Sequence, residues 1–168
     1  MRSKVVPGVL ILFPFLVSVA TAPVVRAGAD DACSLLTPAQ VTAAVGITVG
    51  AGAYVTPTFK RTCTWSPEAA ATATVKAVTL LVEPSNGYDQ GKQLMQAAAA
   101  RTTGPKAAQV SSASVGDDAY YLTMGDGVTS LMVKKGSVAL KVSIYGALPT
   151  EKKKDAEKSL AQQAISKL

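Results

Sequence analysis

No histidine occurs among the 168 residues, and only two cysteines do. Without imidazole there is no Ser-His-Asp or Cys-His arrangement and no His-bearing zinc site. The commonest general base is missing as well. Aromatic residues are only 5% of the chain, with one tryptophan, so there is no row of rings on which nucleic-acid bases could stack. Gly-rich phosphate loops and dinucleotide fingerprints are absent too, so no cofactor is expected. Serine is plentiful, yet none sits in Ser-x-x-Lys or Gly-x-Ser-x-Gly, the contexts that would activate it without or with a base nearby.

What is present begins with an address. Met1-Arg2-Ser3-Lys4 carries two positive charges, and an apolar run follows over residues 5–20. Small residues then line up for cleavage as Val25-Arg26-Ala27 or Ala27-Gly28-Ala29, while Pro23 disfavours a cut after Ala22. This layout predicts a signal peptide over residues 1–29 and a single domain over residues 30–168. A retained anchor is the rival reading, since about 20 apolar residues can span a bilayer. Pro7 and Pro14 interrupt the run, however, and Arg26 sits near its end. Lipid attachment at Cys33 would need small residues just before it, where Asp30-Asp31-Ala32 stands instead. The expected location is therefore secreted or periplasmic, with a membrane as partner only if the leader is kept.

The leader also distorts the charge. Arg2, Lys4 and Arg26 account for three of the 17 basic residues and none of the 11 acidic ones lies there, so the remainder carries +3 rather than +6. A domain of this size buries roughly two-thirds of its unfolded surface, enough for its own core. In an oxidising compartment two cysteines most simply form one disulfide, Cys33–Cys63. A catalytic free thiol is the alternative, with no histidine to activate it.

Local patterns give the fold. Thr37, Pro38 and Gln40 punctuate a short helix that Gly46 ends, with Leu36 and Val41 placed as a hydrophobic staple. Residues 52–59 read as an edge strand or bulge broken by Pro57. Residues 61–66 alternate, putting Cys63 and Trp65 on one face, and residues 72–83 read as a central strand. A helix over 88–100 places Tyr88, Gly91, Leu94, Met95, Ala98 and Ala99 at helical spacing. Residues 102–114 read as a loop with room for one short edge strand. Strands then follow over 119–123, 128–134 and 137–145, the last two joined about Lys135-Gly136. In the last, Val138, Leu140, Val142 and Ile144 face one way, which predicts a sheet with one buried and one wetter face. A final helix from Pro149-Thr150 to Leu168 carries the stripe Ala156, Leu160, Ala161, Ala164, Ile165 and Leu168. The class is α+β, an antiparallel β-sheet covered by α-helices, in the order helix, three strands, helix, three strands, helix.

The opening Ala32-Cys33-Ser34-Leu35-Leu36-Thr37-Pro38, its short helix closed by Gly46, and Cys63-Thr64-Trp65 resemble a group of small exported bacterial domains. Many of these are cell-envelope lipoproteins of unknown function. Val115-Gly116-Asp117-Asp118-Ala119-Tyr120-Tyr121 and a hairpin before the last helix fit the same plan. The chain is similar as well to extracytoplasmic sensor-like domains of some receptor kinases, without any kinase of its own. The resemblance implies a helix-covered antiparallel sheet and bridged cysteines, and it carries no catalytic residues. Where the chain departs from the group is the lipid-attachment box.

Three constellations remain. Gly116-Asp117-Asp118 with Asp126 is the densest carboxylate cluster, a cation holder or acid/base pair in the sharp reading and turn formers in the plain one. Lys152-Lys153-Lys154 follows Lys134-Lys135, but Glu151, Asp155 and Glu157 are interleaved, so a solvated helix face is expected rather than a polyanion site. Neighbours on a strand point opposite ways, so one of Tyr120 and Tyr121 is expected in the core and the other in a groove that Tyr145 could join. The expected function is a secreted, non-catalytic binding or interaction module of the bacterial cell envelope. Its partner would be an envelope protein or a small ligand, not nucleic acid. The alternatives are a histidine-free hydrolase using Asp117, Asp118 and Asp126, or a purely structural envelope protein.

Overall fold

The computed structural model describes residues 30–69, 73–104, 107–125 and 128–168; the expected leader and Asp126 lie outside them. The amino-terminal caps act as their residue types dictate. Asp31 caps α1 (Ala32–Leu35) by accepting from Ser34 N. Thr37 and Gln40 form a reciprocal capping box at α2 (Pro38–Val45): Gln40 Oε1 accepts from Thr37 N at 2.8 Å and Thr37 Oγ1 from Gln40 N at 3.3 Å. Gly46 ends that helix at φ 73°, in the left-handed region that costs glycine nothing. Leu36 and Val41 are both buried, as the staple requires.

Three strands follow, β1 (Ala53–Thr56), β2 (Phe59–Trp65) and β3 (Val75–Pro84), then α3 (Tyr88–Arg101). Four more come next, β4 (Ala108–Ala113), β5 (Asp118–Met124), β6 (Val128–Lys135) and β7 (Val138–Gly146), and α4 (Thr150–Ile165) closes the described chain. The α+β class holds, but the expected element order does not: two helices open the domain and the second strand block has four members. The fourth member is β4, the short edge strand for which residues 102–114 left room but which the expected order omitted; its Ala-Gln-Val-Ser-Ser-Ala sequence has little β-branched or aromatic content. The tight hairpin between β6 and β7 pairs Lys135 with Val138, so its loop is Gly136-Ser137, one residue later than expected.

All seven strands form one antiparallel sheet in the order β1-β2-β3-β7-β6-β5-β4. Each half of the chain is a meander, and the β3–β7 pairing sews the two together. Helices α1, α2 and α4 share one side of the sheet, where Leu35, Val41 and Leu160 pack with Trp65, Leu80, Leu131 and Val142. Each such side chain contributes about 1.5–3 kcal/mol through burial. A disulfide joins Cys33 on α1 to Cys63 on β2, with Cα atoms 5.0 Å apart. On the chain-entropy account it stabilises the fold by about 3–4 kcal/mol. Trp65 lies beside it, and Gly52 fits against both: a Cβ there would stand 2.6 Å from Cys63 Sγ and 2.7 Å from Trp65 Nε1.

Helix α3 lies on the opposite side and behaves differently from its sequence pattern. Of its expected stripe only Tyr88 is buried, and Leu94 is 59% exposed. The helix sits at one margin of the sheet, on β4, and residues 93–100 offer mainly Gln and Ala to pack with. Among the described residues, no helix is long and apolar enough to cross a membrane.

Candidate functional site

The placement of α3 leaves half of one sheet face without a described helix over it. Cross-strand register defines what lies there. Thr64, Thr79, Ser143 and Ser130 form one row across β2, β3, β7 and β6. Thr62, Leu81, Lys141 and Met132 form the next, and Ala77 and Tyr145 sit side by side on β3 and β7. The hydroxyls of Ser130 and Ser143 are 2.7 Å apart and buried between longer neighbours. Thr62, Thr64, Thr79, Leu81 and Lys141 are half-buried, and Tyr145 is 37% exposed at the centre of its row's end. The result is a broad surface of hydroxyls and aliphatic carbons with one ring and one ammonium. Such a surface offers hydrogen bonds and apolar area together.

The two other tyrosines do not join Tyr145. Both are buried, Tyr120 at 2% exposure and Tyr121 at 9%, against the expectation that only one would be. The reason is that β5 lies under a helix on each side. Tyr120 packs beneath α3, its ring 5.7 Å from that of Tyr88. Tyr121 points to the α4 side, where its hydroxyl donates to the carbonyl of Lys154 at 3.0 Å.

The carboxylates are likewise separated in role. Asp117 accepts from the backbone N–H of Gly136 at 2.7 Å and from Lys135 at 2.8 Å, pinning the β6–β7 turn. Those two bonds, the backbone one foremost, hold its carboxyl below the ordinary range. Asp118 takes both oxygens to Lys92 of α3 at 2.8 and 2.7 Å, and that bond lowers its pKa as well. Tyr88 is shifted upward by burial, with the nearby charge of Asp118 adding to it. Lys134 pairs with Asp89 at 2.7 Å, so ion pairs fasten the same end of α3 that Tyr88 anchors by packing. Among the described residues, no three acidic or cysteine side chains converge as a metal site requires.

One titratable group escaped the sequence reading. Glu157, assigned there to a solvated face, is fully buried under α4. Its Oε1 accepts from Thr129 Oγ1 at 2.7 Å and from Ile144 N at 3.1 Å, while its Oε2 has no hydrogen-bond partner among the described residues. Burial pushes its pKa up to about 7 against the opposing pull of those bonds and of Lys153 and Lys154. Lys153, also expected in solvent, is 1% exposed one turn earlier on the same helix. Alanines at 156, 161 and 164 beside Leu160 form the face of α4 that packs on β6 and β7, so the flanking long side chains are drawn in with it. Only the i, i+4 spacing of Lys153 and Glu157, in line with Ala156 and Leu160, could have signalled this.

Comparison with known proteins finds no family model that matches the chain, and no curated protein or solved structure similar to it.

Proposed function

We propose that the protein is a secreted, non-catalytic binding module of the bacterial cell envelope. Its contact surface is the open sheet face around Tyr145, Lys141, Leu81, Thr79 and Thr64. The observation that carries the reading is that this face stands without a described helix while the other side of the same strands is packed under three. The disulfide is compatible with an extracytoplasmic location, and it supports export together with the leader-like sequence of residues 1–29. A hydrolase built on carboxylates fits less well. General acids need a raised pKa near the working pH, whereas Asp117 and Asp118 are both lowered and engaged by lysines.

The test compares the intact mass of the protein from its native envelope fraction under native and denaturing conditions, with cross-linking alongside. Extra mass present only in the native spectrum, or a cross-linked partner, is expected. Tyr145→Ala should abolish either one while moving Tm by less than about 2 °C. A ligand or partner that survives both Tyr145→Ala and Lys141→Glu would move the site elsewhere. Absence of both signals would favour a purely structural envelope protein.

A further inference from the structure

The two edges of the sheet are guarded very differently. At one edge β1 is four residues long, carries a register shift between Tyr54 and Thr56, and runs straight into Pro57. Shortness, a bulge and proline are the devices that keep foreign strands from adding to an edge. At the other edge β4 is six residues long, pairs residue for residue with β5 from Ala108 to Ala113, and has none of the three. It has no charged residue either, and none stands in residues 107–116. Alternate residues of β4 therefore turn backbone N–H and C=O groups outward as a regular, neutral template.

A second feature lies at the same edge. The last turn of α3 and the start of β4 border an open cleft of about 580 Å³, lined by Ala98, Thr102, Gly104, Ala107, Ala108 and Met124. Met124 is largely exposed there, although it is a long apolar side chain. The pairings of Asp89 and Lys92 turn one flank of α3 toward β5 and β6, so the opposite flank, with Leu94 and Ala98, borders the outer edge.

We infer that β4 accepts an eighth strand: an extended, uncharged segment of a partner protein, with one aliphatic side chain seated in the cleft beside Met124. The backbone template calls for an extended chain, the neutrality of β4 disfavours a charged one, and the cleft takes an apolar anchor. A second copy of this chain fits poorly. Helix α3 packs on β4 itself, and paired strands lie about 4.8 Å apart. Symmetric β4 pairing would bring two α3 helices closer than the 8–10 Å at which helices pack. The surface is distinct from the open face around Tyr145, and the inference stands whether or not that face binds.

The test uses the purified full-length protein, isotopically labelled for backbone amide spectra. The probe is a blocked peptide of about seven residues alternating valine with serine or threonine. Two further versions carry N-methyl groups on every second residue, one version for each edge of the peptide. Binding at about 1 mM peptide should perturb amides of residues 108–113 and slow exchange at alternate positions among them. One methylated version should bind at least about tenfold more weakly and the other equally well. Ser111→Lys, at an exposed position, should weaken the unmodified peptide similarly. No binding at that concentration, equal loss with both methylated versions, or perturbation confined to the Tyr145 face would overturn the proposal. A dimer in the native mass spectrum that Ser111→Lys dissolves would overturn it too, giving the edge to a second copy.

Discussion

The two faces of the sheet are made by the same strands, one residue out of step, yet they have solved different problems. Val78, Leu80, Leu131, Val133, Val142 and Ile144 meet three helices and form a dry core. One residue along on those strands, Thr79, Leu81, Ser130, Lys141 and Ser143 lie outside the cluster that Met132 forms with Tyr88 of α3, and α3 is held at that side by ion pairs from Asp118 and Lys134 as well. Apolar packing is thus concentrated on one face, and hydroxyls, Lys141 and Tyr145 on the other. A sheet with period-two alternation allows this division because a substitution on one face leaves the other nearly untouched.

The contrast can be broken most sharply at the helices. Leu160→Ala on α4 should destabilise by about 2–5 kcal/mol, the cost of a cavity under a fully buried leucine. Leu94→Ala on α3 should cost no more than about 0.5 kcal/mol, and denaturant unfolding measures both. If the two losses matched, the division between faces would be wrong.

Glu157 gives the next largest effect, through pH. Its folded pKa of about 7 lies above the ordinary 4.5, so folding disfavours its ionised form. The protein should therefore be most stable, as far as this group is concerned, below about pH 4.5. Stability then falls as pH rises through 7, by at most about 3 kcal/mol for a shift of this size. Glu157→Gln should flatten that part of the pH–stability curve and raise stability at pH 8. An unchanged slope between pH 5 and 8 would assign the dependence to another group.

Smaller effects separate the three tyrosines. Tyr121→Phe removes a hydrogen bond to Lys154 and should cost about 1 kcal/mol. Tyr145→Ala should change stability by no more than about 0.5 kcal/mol, its effect falling on the partner instead. A larger loss at Tyr145 than at Tyr121 would reverse the assignment of faces.

Much of this architecture can be read from residues whose roles are local. The capping box of Thr37 and Gln40, the stop at Gly46, the alternation about Cys63 and Trp65, and the β6–β7 hairpin all follow from neighbours in sequence. What escaped depended on tertiary position. β4, for which the sequence left only room in a loop, acquires its strand conformation from β5 rather than from its Gln and Ser residues. Leu94 is exposed because α3 rides at the margin of the sheet. Lys153 and Glu157 are buried because small residues let α4 settle closely onto β6 and β7. Period-two alternation places Tyr145 on the wetter face, and it is exposed there. Tyr120 and Tyr121 were misjudged because alternation says which way a side chain points, not what covers it.

The seam between β3 and β7 carries a consequence for the order of assembly. Each meander can form from neighbours in sequence, but the seam joins Pro84 to Val138 and Val75 to Gly146 across the whole of α3 and three strands. Closing a loop of that length costs more entropy than any hairpin here, and topologies dominated by such distant pairings fold slowly. The disulfide, by contrast, lies wholly within the first meander and its preceding helix. It can close before a single residue of the second meander is needed, so the first half is tied into a loop while the seam is still open. Oxidation should thus precede, rather than follow, completion of the sheet.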